Sequence, residues 1–257
     1  MSYSALRYHV EERVATITLH RPEKLNAWTT AMDAEFRAAV EAAAADAEVR
    51  VIVVTGAGRG FCAGADMSLL ESLAASGAAV DLPRQFQFLQ ALEKPVIAAI
   101  NGPAVGLGLI LTLHCDLRFA SQEARFGTAF AKRGLIAEYG MAWMLPRLIG
   151  HANALDILLS ARIFDTGEAL RMGLVNQVFP APTFLFDVMA YARQLATEVS
   201  PRSMAVMKRQ VYQGLTQTFD EAAGVAEREM LLSLQSEDFK EGVAHFVGKR
   251  PPSFTGR

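Results

Sequence analysis

Residues 95–116 read PVIAAINGPAVGLGLILTLHCD. The apolar run 96–100 is bounded by Pro95 and by Asn101-Gly102, so it suits a short buried strand better than a helix. Asn101-Gly102-Pro103 is strong turn chemistry. Gly106 and Gly108 follow, then the unbroken apolar segment 109–113, which reads as a buried helix. A strand that turns through glycines into a helix leaves unpaired N–H groups at the helix start, and the helix dipole adds partial positive charge there. Such a place suits a phosphate, a carboxylate or a developing oxyanion. Glycines that only permit close packing would read the same way.

On the N-terminal side, residues 6–10 and 14–20 read as two strands joined at Glu11-Glu12-Arg13. Arg21-Pro22-Glu23-Lys24 is a loop, and Thr29 or Thr30 can cap a helix over residues 31–45. Residues 49–55, VRVIVVT, form a buried strand that ends in a glycine-rich stretch, 56–60, expected to be a flexible loop. FCAGAD, residues 61–66, leads into a helix at 67–73; a mobile connection is expected over 74–80 and a helix over 82–92, with Phe86, Leu89 and Leu92 on one face. Beyond the opening stretch come a strand at 116–120, a short extended piece at 125–127, helices at 152–160 and 166–172, and a last strand at 175–179. From residue 183 the pattern is helical only, over 183–197, 202–217, 219–233 and 237–247. Alternating strands and helices before residue 180 predict an α/β fold with parallel pairing.

The chain of 257 residues is long enough for one large core, and 51% hydrophobic against 20% charged residues suits a globular protein. A net charge of −2 points to neither a nucleic-acid nor a membrane partner. The N-terminus lacks an apolar secretory region, no apolar run reaches spanning length, and the two cysteines, Cys62 and Cys115, do not make a disulfide framework. A reducing cytoplasm is the expected setting. The third glycine of G-x-G-x-x-G is replaced by Leu111 after Gly106 and Gly108, and by Ala63 after Gly58 and Gly60, which argues against a nicotinamide dinucleotide. There is no P-loop, no G-x-S-x-G elbow and no H-E-x-x-H. His114-Cys115-Asp116 resembles a zinc fragment, but three adjacent residues cannot all face one ion on a regular element. No metal is expected.

FCAGAD and NGPAVGLG, two glycine-bearing turns each ahead of a helix, resemble the crotonase (enoyl-CoA hydratase/isomerase) family. So do RPEKLNAW at 21–28, CDLRFAS at 115–121 and EGVAHFVGKRPPSF at 241–254. The resemblance covers nearly the whole chain. It implies a crotonase-like spiral of β-β-α units over residues 1–200 and a C-terminal helical region, 201–257, that packs in a homotrimer, often paired into a hexamer. It also implies an acyl-CoA thioester as substrate, with coenzyme A part of the substrate and no separate cofactor. By the same resemblance, the backbone N–H groups of Ala65 and Leu107 bind the thioester oxygen. Physical logic supports such a pair, because donors fixed where charge develops stabilise the enolate more than the ground state. Leu107 stands where the family usually has glycine, and its side chain could crowd the acyl group. Lys24, Leu25, Ala27, Ala63 and Asp66 would line the nucleotide end of CoA, with Phe246 and Lys249 coming from the C-terminal helix of a neighbouring subunit. Ordinary solvated lysines and helix packing would account for Lys24, Lys249 and Phe246 equally well. Segments 67–73 and 86–92 would wall the acyl pocket, and also read as core.

The departure from the family concerns its carboxylates. The two glutamates with which the family's hydratases hold water would fall at Ile110 and Phe130, and neither side chain can move a proton. Glu138 instead matches the single catalytic glutamate of the peroxisomal-type Δ3,Δ2-enoyl-CoA isomerases; the ring-opening epoxyphenylacetyl-CoA isomerases carry an aspartate there. One base suffices to remove a proton at one carbon and return it at another. The apolar neighbours Ile136, Ala137, Met141 and Trp143 favour a raised pKa. The expectation is an enoyl-CoA isomerase. A hydratase or a ring or C–C hydrolase using Glu138 with water, and a non-catalytic acyl-CoA binder, are the competing expectations.

Overall fold

The structure is a computed structural model, and it describes residues 3–76 and 86–257. Strands β1 (Leu6–Glu11) and β2 (Val14–Leu19) form an antiparallel hairpin, with Glu12 and Arg13 at φ 48° and 66° in the two-residue turn. Helix α1 (Thr30–Ala45) follows, its start capped by Thr29, whose hydroxyl accepts from the Met32 N–H. Next come β3 (Val51–Gly56), α2 (Met67–Ser76), β4 (Val96–Ile100), β5 (Ala104–Val105) and α3 (Leu107–His114). The chain continues through β6 (Leu117–Ser121), β7 (Arg125–Gly127), α4 (Met141–Ile149), α5 (His151–Ser160), β8 (Phe164–Asp165), α6 (Thr166–Met172) and β9 (Gln177–Phe179). Four helices close it: α7 (Phe184–Glu198), α8 (Pro201–Gly214), α9 (Phe219–Leu234) and α10 (Glu237–Gly248).

The main sheet has the order β1-β2-β3-β4-β6-β9, parallel from β2 onward. Its central strands β3 and β4 are buried along nearly their whole length and read as apolar runs because both faces are covered. Val14, Val51, Val53, Ile97 and Ala99 face α7, which meets them with Phe184, Val188, Ala192 and Ala196 at a four-residue spacing. The alternate residues Ile17, Ile52, Val54, Ala98 and Ile100 face the larger core beneath α1 and α3.

A second, narrower parallel layer makes the spiral explicit. After β2 the chain passes through Trp28, which bridges Ala65; after β3 it passes through Cys62, which bridges Ala104; after β4 it passes through β5, which pairs with β7. Each turn therefore runs long strand, short strand or bridge, then helix. This is the α/β spiral of β-β-α units that the family resemblance implies, and it bears out the α/β class read from the pattern.

Two local expectations are corrected. Residues 56–60 are a tethered turn and not a flexible loop. The Asn101 amide donates to the carbonyls of Gly58 and Gly60 at 3.0 and 3.2 Å while its oxygen accepts from the Gly56 N–H at 3.0 Å. The second correction concerns 82–92. Residues 82–85 lie outside the described residues, and 87–91 form a 3-10 turn rather than an α-helix. Phe86 and Leu89, both buried, are three residues apart, a spacing that also suits the three-residue period of a 3-10 helix. Helix α2 extends through residue 76, and the rest of the expected connection 74–80 lies outside the described residues.

Helix α8 is fastened to this core by a largely buried ion pair. Lys208 Nζ lies 2.8 Å from Asp116 Oδ2 and also donates to the carbonyls of Leu89 and Lys94; Tyr212 donates to Asp116 Oδ1 at 3.0 Å, and the Val96 N–H donates to Oδ2.

Candidate active site

The two glycine turns lie side by side. The Cys62 N–H donates to the Pro103 carbonyl at 3.0 Å, and the Val105 N–H donates to the Cys62 carbonyl at 3.0 Å. Two residues after Cys62, Gly64 has φ +103°; a Cβ built on it would stand 3.1 Å from the Val105 carbonyl oxygen, and one built on Gly106 would stand 3.7 Å from the Gly64 Cα. Gly106 has φ 55° and ψ −119°, a conformation open to glycine alone. The residues that follow these two touching glycines are Ala65 and Leu107. The Trp28 N–H donates to the Gly64 carbonyl and the Asp66 N–H to the Trp28 carbonyl, so the parallel bridge turns the Ala65 N–H away from Trp28. It has no backbone acceptor among the described residues. Leu107 is the first residue of α3, where the helix offers its N–H no partner. The Leu107 side chain is 7% exposed and belongs to the core, which leaves its backbone to serve the site.

The loop at residues 21–28 is tied to the same turn. Leu25 and Asn26 take left-handed φ values of 48° and 55°. Buried Asn26 donates to the carbonyls of Ala57 and Gly60 and accepts from the Arg21 N–H. The Ala63 N–H donates to the Leu25 carbonyl at 3.0 Å. The Arg21 guanidinium donates to the Ala27 carbonyl at 2.7 Å and to Asp66 Oδ2 at 2.8 Å. Hydrogen bonds from Arg21 and then Ser68 push the Asp66 carboxyl down to about 2. Leu25, Ala27, Ala63 and Asp66 are thereby brought together with the exposed Lys24. Asp66 is engaged by Arg21 and by the start of α2 rather than free for a ligand. Phe246, 79% exposed, and Lys249 stand at the end of α10, and no hydrogen bond or ion pair joins them to this loop among the described residues.

Glu138 rides on the segment between β7 and α4. At the start of that segment the Gly127 carbonyl accepts from the Gly106 N–H at 3.0 Å, next to the Leu107 donor. At its end His114 Nε2, on the last residue of α3, lies 3.0 Å from the Tyr139 carbonyl. Residues 127–139 are thus pinned to both ends of one helix. Tyr139 is left-handed at φ 48°, which costs a non-glycine residue roughly 1–2 kcal/mol. The Glu138 carboxylate is half-buried, and burial alone pushes its pKa up, with no ion pair on it among the described residues. The Tyr139 phenol beside it is pushed up to about 12, by burial first and then by Glu138 and Asp33. Ile110 is fully buried and Phe130 nearly so, both in the larger core.

His114, Cys115 and Asp116 face three ways: to the Tyr139 carbonyl, the Leu111 carbonyl and the Lys208 ammonium. Among the described residues no group of three His, Cys, Asp or Glu side chains converges as a metal site would require. Three residues that organise the site were missed in the sequence: Arg21, Asn26 and His114. A polar residue inside an apolar helix was the available signal for His114, and a buried asparagine in a turn flanked by apolar residues was the signal for Asn26.

The sequence model of the family described as enoyl-CoA hydratase/isomerase matches residues 9–257. The chain is 39% identical to the "Probable enoyl-CoA hydratase" of Rhodobacter capsulatus, covering 100% of both chains. It is 35% identical to the "1,2-epoxyphenylacetyl-CoA isomerase" of Escherichia coli, covering 97% of each. Among solved structures, an enoyl-CoA hydratase/isomerase from Mycobacterium paratuberculosis superposes with a TM-score of 0.89 at 30% identity over 100% of both chains. An enoyl-CoA hydratase from Bacillus anthracis does so with a TM-score of 0.90 at 27% identity, over 99% of this chain and 100% of that one.

Proposed function

We propose that this chain, which belongs to the enoyl-CoA hydratase/isomerase family, shifts the C=C bond of an enoyl-CoA by a proton shuttle through Glu138. The thioester oxygen accepts hydrogen bonds from the Ala65 and Leu107 N–H groups. The Glu138 carboxylate removes a proton from the carbon next to the thioester of a 3-enoyl-CoA, and the negative charge spreads to that oxygen. The protonated carboxyl then returns the proton two carbons further on, and the double bond ends conjugated to the thioester. A raised pKa suits both halves of this cycle, because the group must accept and release the proton with little change in energy.

The observation that carries the proposal is the half-buried Glu138, with no ion pair among the described residues, on a segment held to the helix that would supply one oxyanion donor. Ile110 and Phe130 place hydrocarbon where the hydratases of the family carry their two glutamates, so water would lack its usual pair of carboxylates. Hydration with Glu138 as the single carboxylate is the second reading, favoured by the hydratase names that several relatives bear. Lys24, Leu25, Ala27, Ala63 and Asp66 would serve the nucleotide end of the thioester, and Phe246 and Lys249 would reach it from a neighbouring subunit. Residues 201–257 would form the assembly region of a trimer or hexamer, in keeping with the exposed Val211, Phe219, Met230, Leu231 and Phe246. No helix among the described residues is long and apolar enough to cross a membrane, and both cysteines are free and buried, which supports a cytoplasmic setting.

Rates of wild type and Glu138→Gln on matched 3-enoyl-CoA and 2-enoyl-CoA substrates test the proposal. Glu138→Gln is expected to lower isomerase turnover by roughly 10²- to 10⁴-fold, the range for a general base, with CoA affinity unchanged. Full isomerase activity in the variant, or efficient hydration of 2-enoyl-CoA by wild type with no isomerisation, overturns it.

A further inference from the structure

His114 has no part in the shuttle just described, yet it is a buried imidazole in a helix otherwise made of Leu, Ile, Gly and Thr. A buried imidazole is costly unless both ring nitrogens find partners. Here they do. The Tyr139 carbonyl, 3.0 Å from Nε2, can only accept, so Nε2 carries the hydrogen; the Gln90 amide nitrogen, 3.3 Å from Nδ1, then donates to the free ring nitrogen. One neutral tautomer satisfies both bonds, and burial, which lowers the His114 pKa, favours that neutral form.

The carbonyl that His114 grips belongs to the residue after Glu138. Tyr139 and Gly140 are left-handed in succession, at φ 48° and 77°, a conformation that lasts only where the surroundings impose it. The Glu138 carbonyl is itself held by the Met141 N–H at 2.9 Å. At the opposite end of α3 stands Leu107, about 10 Å away for eight residues at 1.5 Å each.

We propose that His114 is a positioning residue: its bond to the Tyr139 carbonyl sets the Glu138 carboxylate at a fixed distance from the oxyanion donors at the other end of α3. This rests on Glu138 being the shuttle base. A donor lost here lets the Tyr139 peptide relax and moves the carboxylate, and a misplacement of about 1 Å costs on the order of 10²-fold in rate.

The test uses His114→Leu, His114→Gln and Glu138→Gln beside wild type on a 3-enoyl-CoA. His114→Leu is expected to lower kcat by about 10²-fold while KM stays within about threefold. His114→Gln, whose amide nitrogen can reach the same carbonyl, should recover at least tenfold of that loss. If His114→Leu keeps wild-type kcat while Glu138→Gln is inactive, the shuttle stands and the positioning role falls. It also falls if His114→Gln is as slow as His114→Leu, since the bond is then not the cause. If Glu138→Gln is fully active, the shuttle itself is wrong and the positioning role falls with it. Nitrogen-15 NMR of the imidazole in wild type decides even if a variant does not fold: hydrogen on Nε2 is expected, and hydrogen on Nδ1 refutes the proposal.

Discussion

Gly108→Ala is the most direct test of the joint that would set the proposed oxyanion donors. Gly108 is the second residue of α3, and in an ordinary helix alanine would be favoured over glycine by about 1 kcal/mol. Here the added Cβ would stand 2.1 Å from the Cys62 carbonyl oxygen and 2.9 Å from both the Cys62 carbonyl carbon and its Cβ. Real Cβ atoms essentially never come within 3.0 Å, so the backbones must part by at least 0.9 Å, the difference between 3.0 and 2.1 Å. That displacement falls where the Cys62–Val105 hydrogen bond holds the two turns together, two residues from the Gly64–Gly106 contact. Oxyanion donors act at about 2.7–3.1 Å, so such a shift takes at least one N–H out of range, and the expected loss is roughly 10²- to 10³-fold in kcat.

The stability cost of Gly108→Ala is modest by comparison. Overpacking costs about 1–3 kcal/mol, offset by the ~1 kcal/mol gain in helix propensity. At about 2–4 °C per kcal/mol for a chain of this size, Tm should fall by no more than about 8 °C. The assay is steady-state isomerisation of a 3-enoyl-CoA below the melting range, with CoA affinity measured by calorimetry. A folded variant with kcat within fivefold of wild type would refute the reasoning, because the two turns could then separate without consequence for catalysis.

If Glu138 is the base, as proposed, its raised pKa should give an activity profile whose acid limb lies above the ordinary glutamate value of 4.5, since a base works deprotonated. The same shift means that protonated Glu138 favours the fold and that stability is lost as pH rises through its folded pKa. Glu138→Gln should therefore melt above wild type at pH 8 and level with it near pH 4, and equal melting at pH 8 would contradict this. For Asp66 the sign is opposite: held down to about 2 by Arg21 and Ser68, it contributes stability above its usual 3.8 that disappears as pH falls toward 2. The Tm gap between wild type and Asp66→Asn should thus close between pH 5 and pH 2, and a gap unchanged at pH 2 rules the ion pair out as its source. Lys208→Met leaves the largely buried Asp116 carboxylate without its cation, a loss of at most about 3–5 kcal/mol or roughly 6–20 °C in Tm; an unchanged melting curve would show that α8 docks by other means. Sedimentation at micromolar concentration should give a trimer or hexamer, and a monomer would count against an assembly role for residues 201–257.

The sheet was legible because its strands obey a simple rule. VIVV at 51–54 and VIAAI at 96–100 are apolar at every position, as strands buried on both faces tend to be. The apolar helix read at 109–113 was legible for the same local reason, and the glycine turns were legible from their turn residues. The tether at 56–60 was not, because Asn101 reaches it from 45 residues away. The 3-10 turn at 87–91 escaped because Phe86 and Leu89 satisfy two helical periods at once. The roles of Arg21 and His114 were not legible, since their partners Asp66 and Tyr139 lie 45 and 25 residues on.

The glycines of the site also explain which of its positions are free to vary. The proposed donors are backbone N–H groups, so the side chains at 65 and 107 need only stay out of the way, and Leu107 does so by entering the core. The strict demand falls one residue earlier, on Gly64 and Gly106, whose positive φ values and mutual contact set the direction of the following N–H. It falls again at Gly108, where the Cys62 carbonyl leaves no room. Leu107→Gly should therefore act through lost core packing and a looser first helical turn, lowering Tm more than it changes the oxyanion geometry. Gly106→Ala should do the reverse, because no L side chain accepts φ 55° with ψ −119° and the N–H of residue 107 must swing away as the turn relaxes.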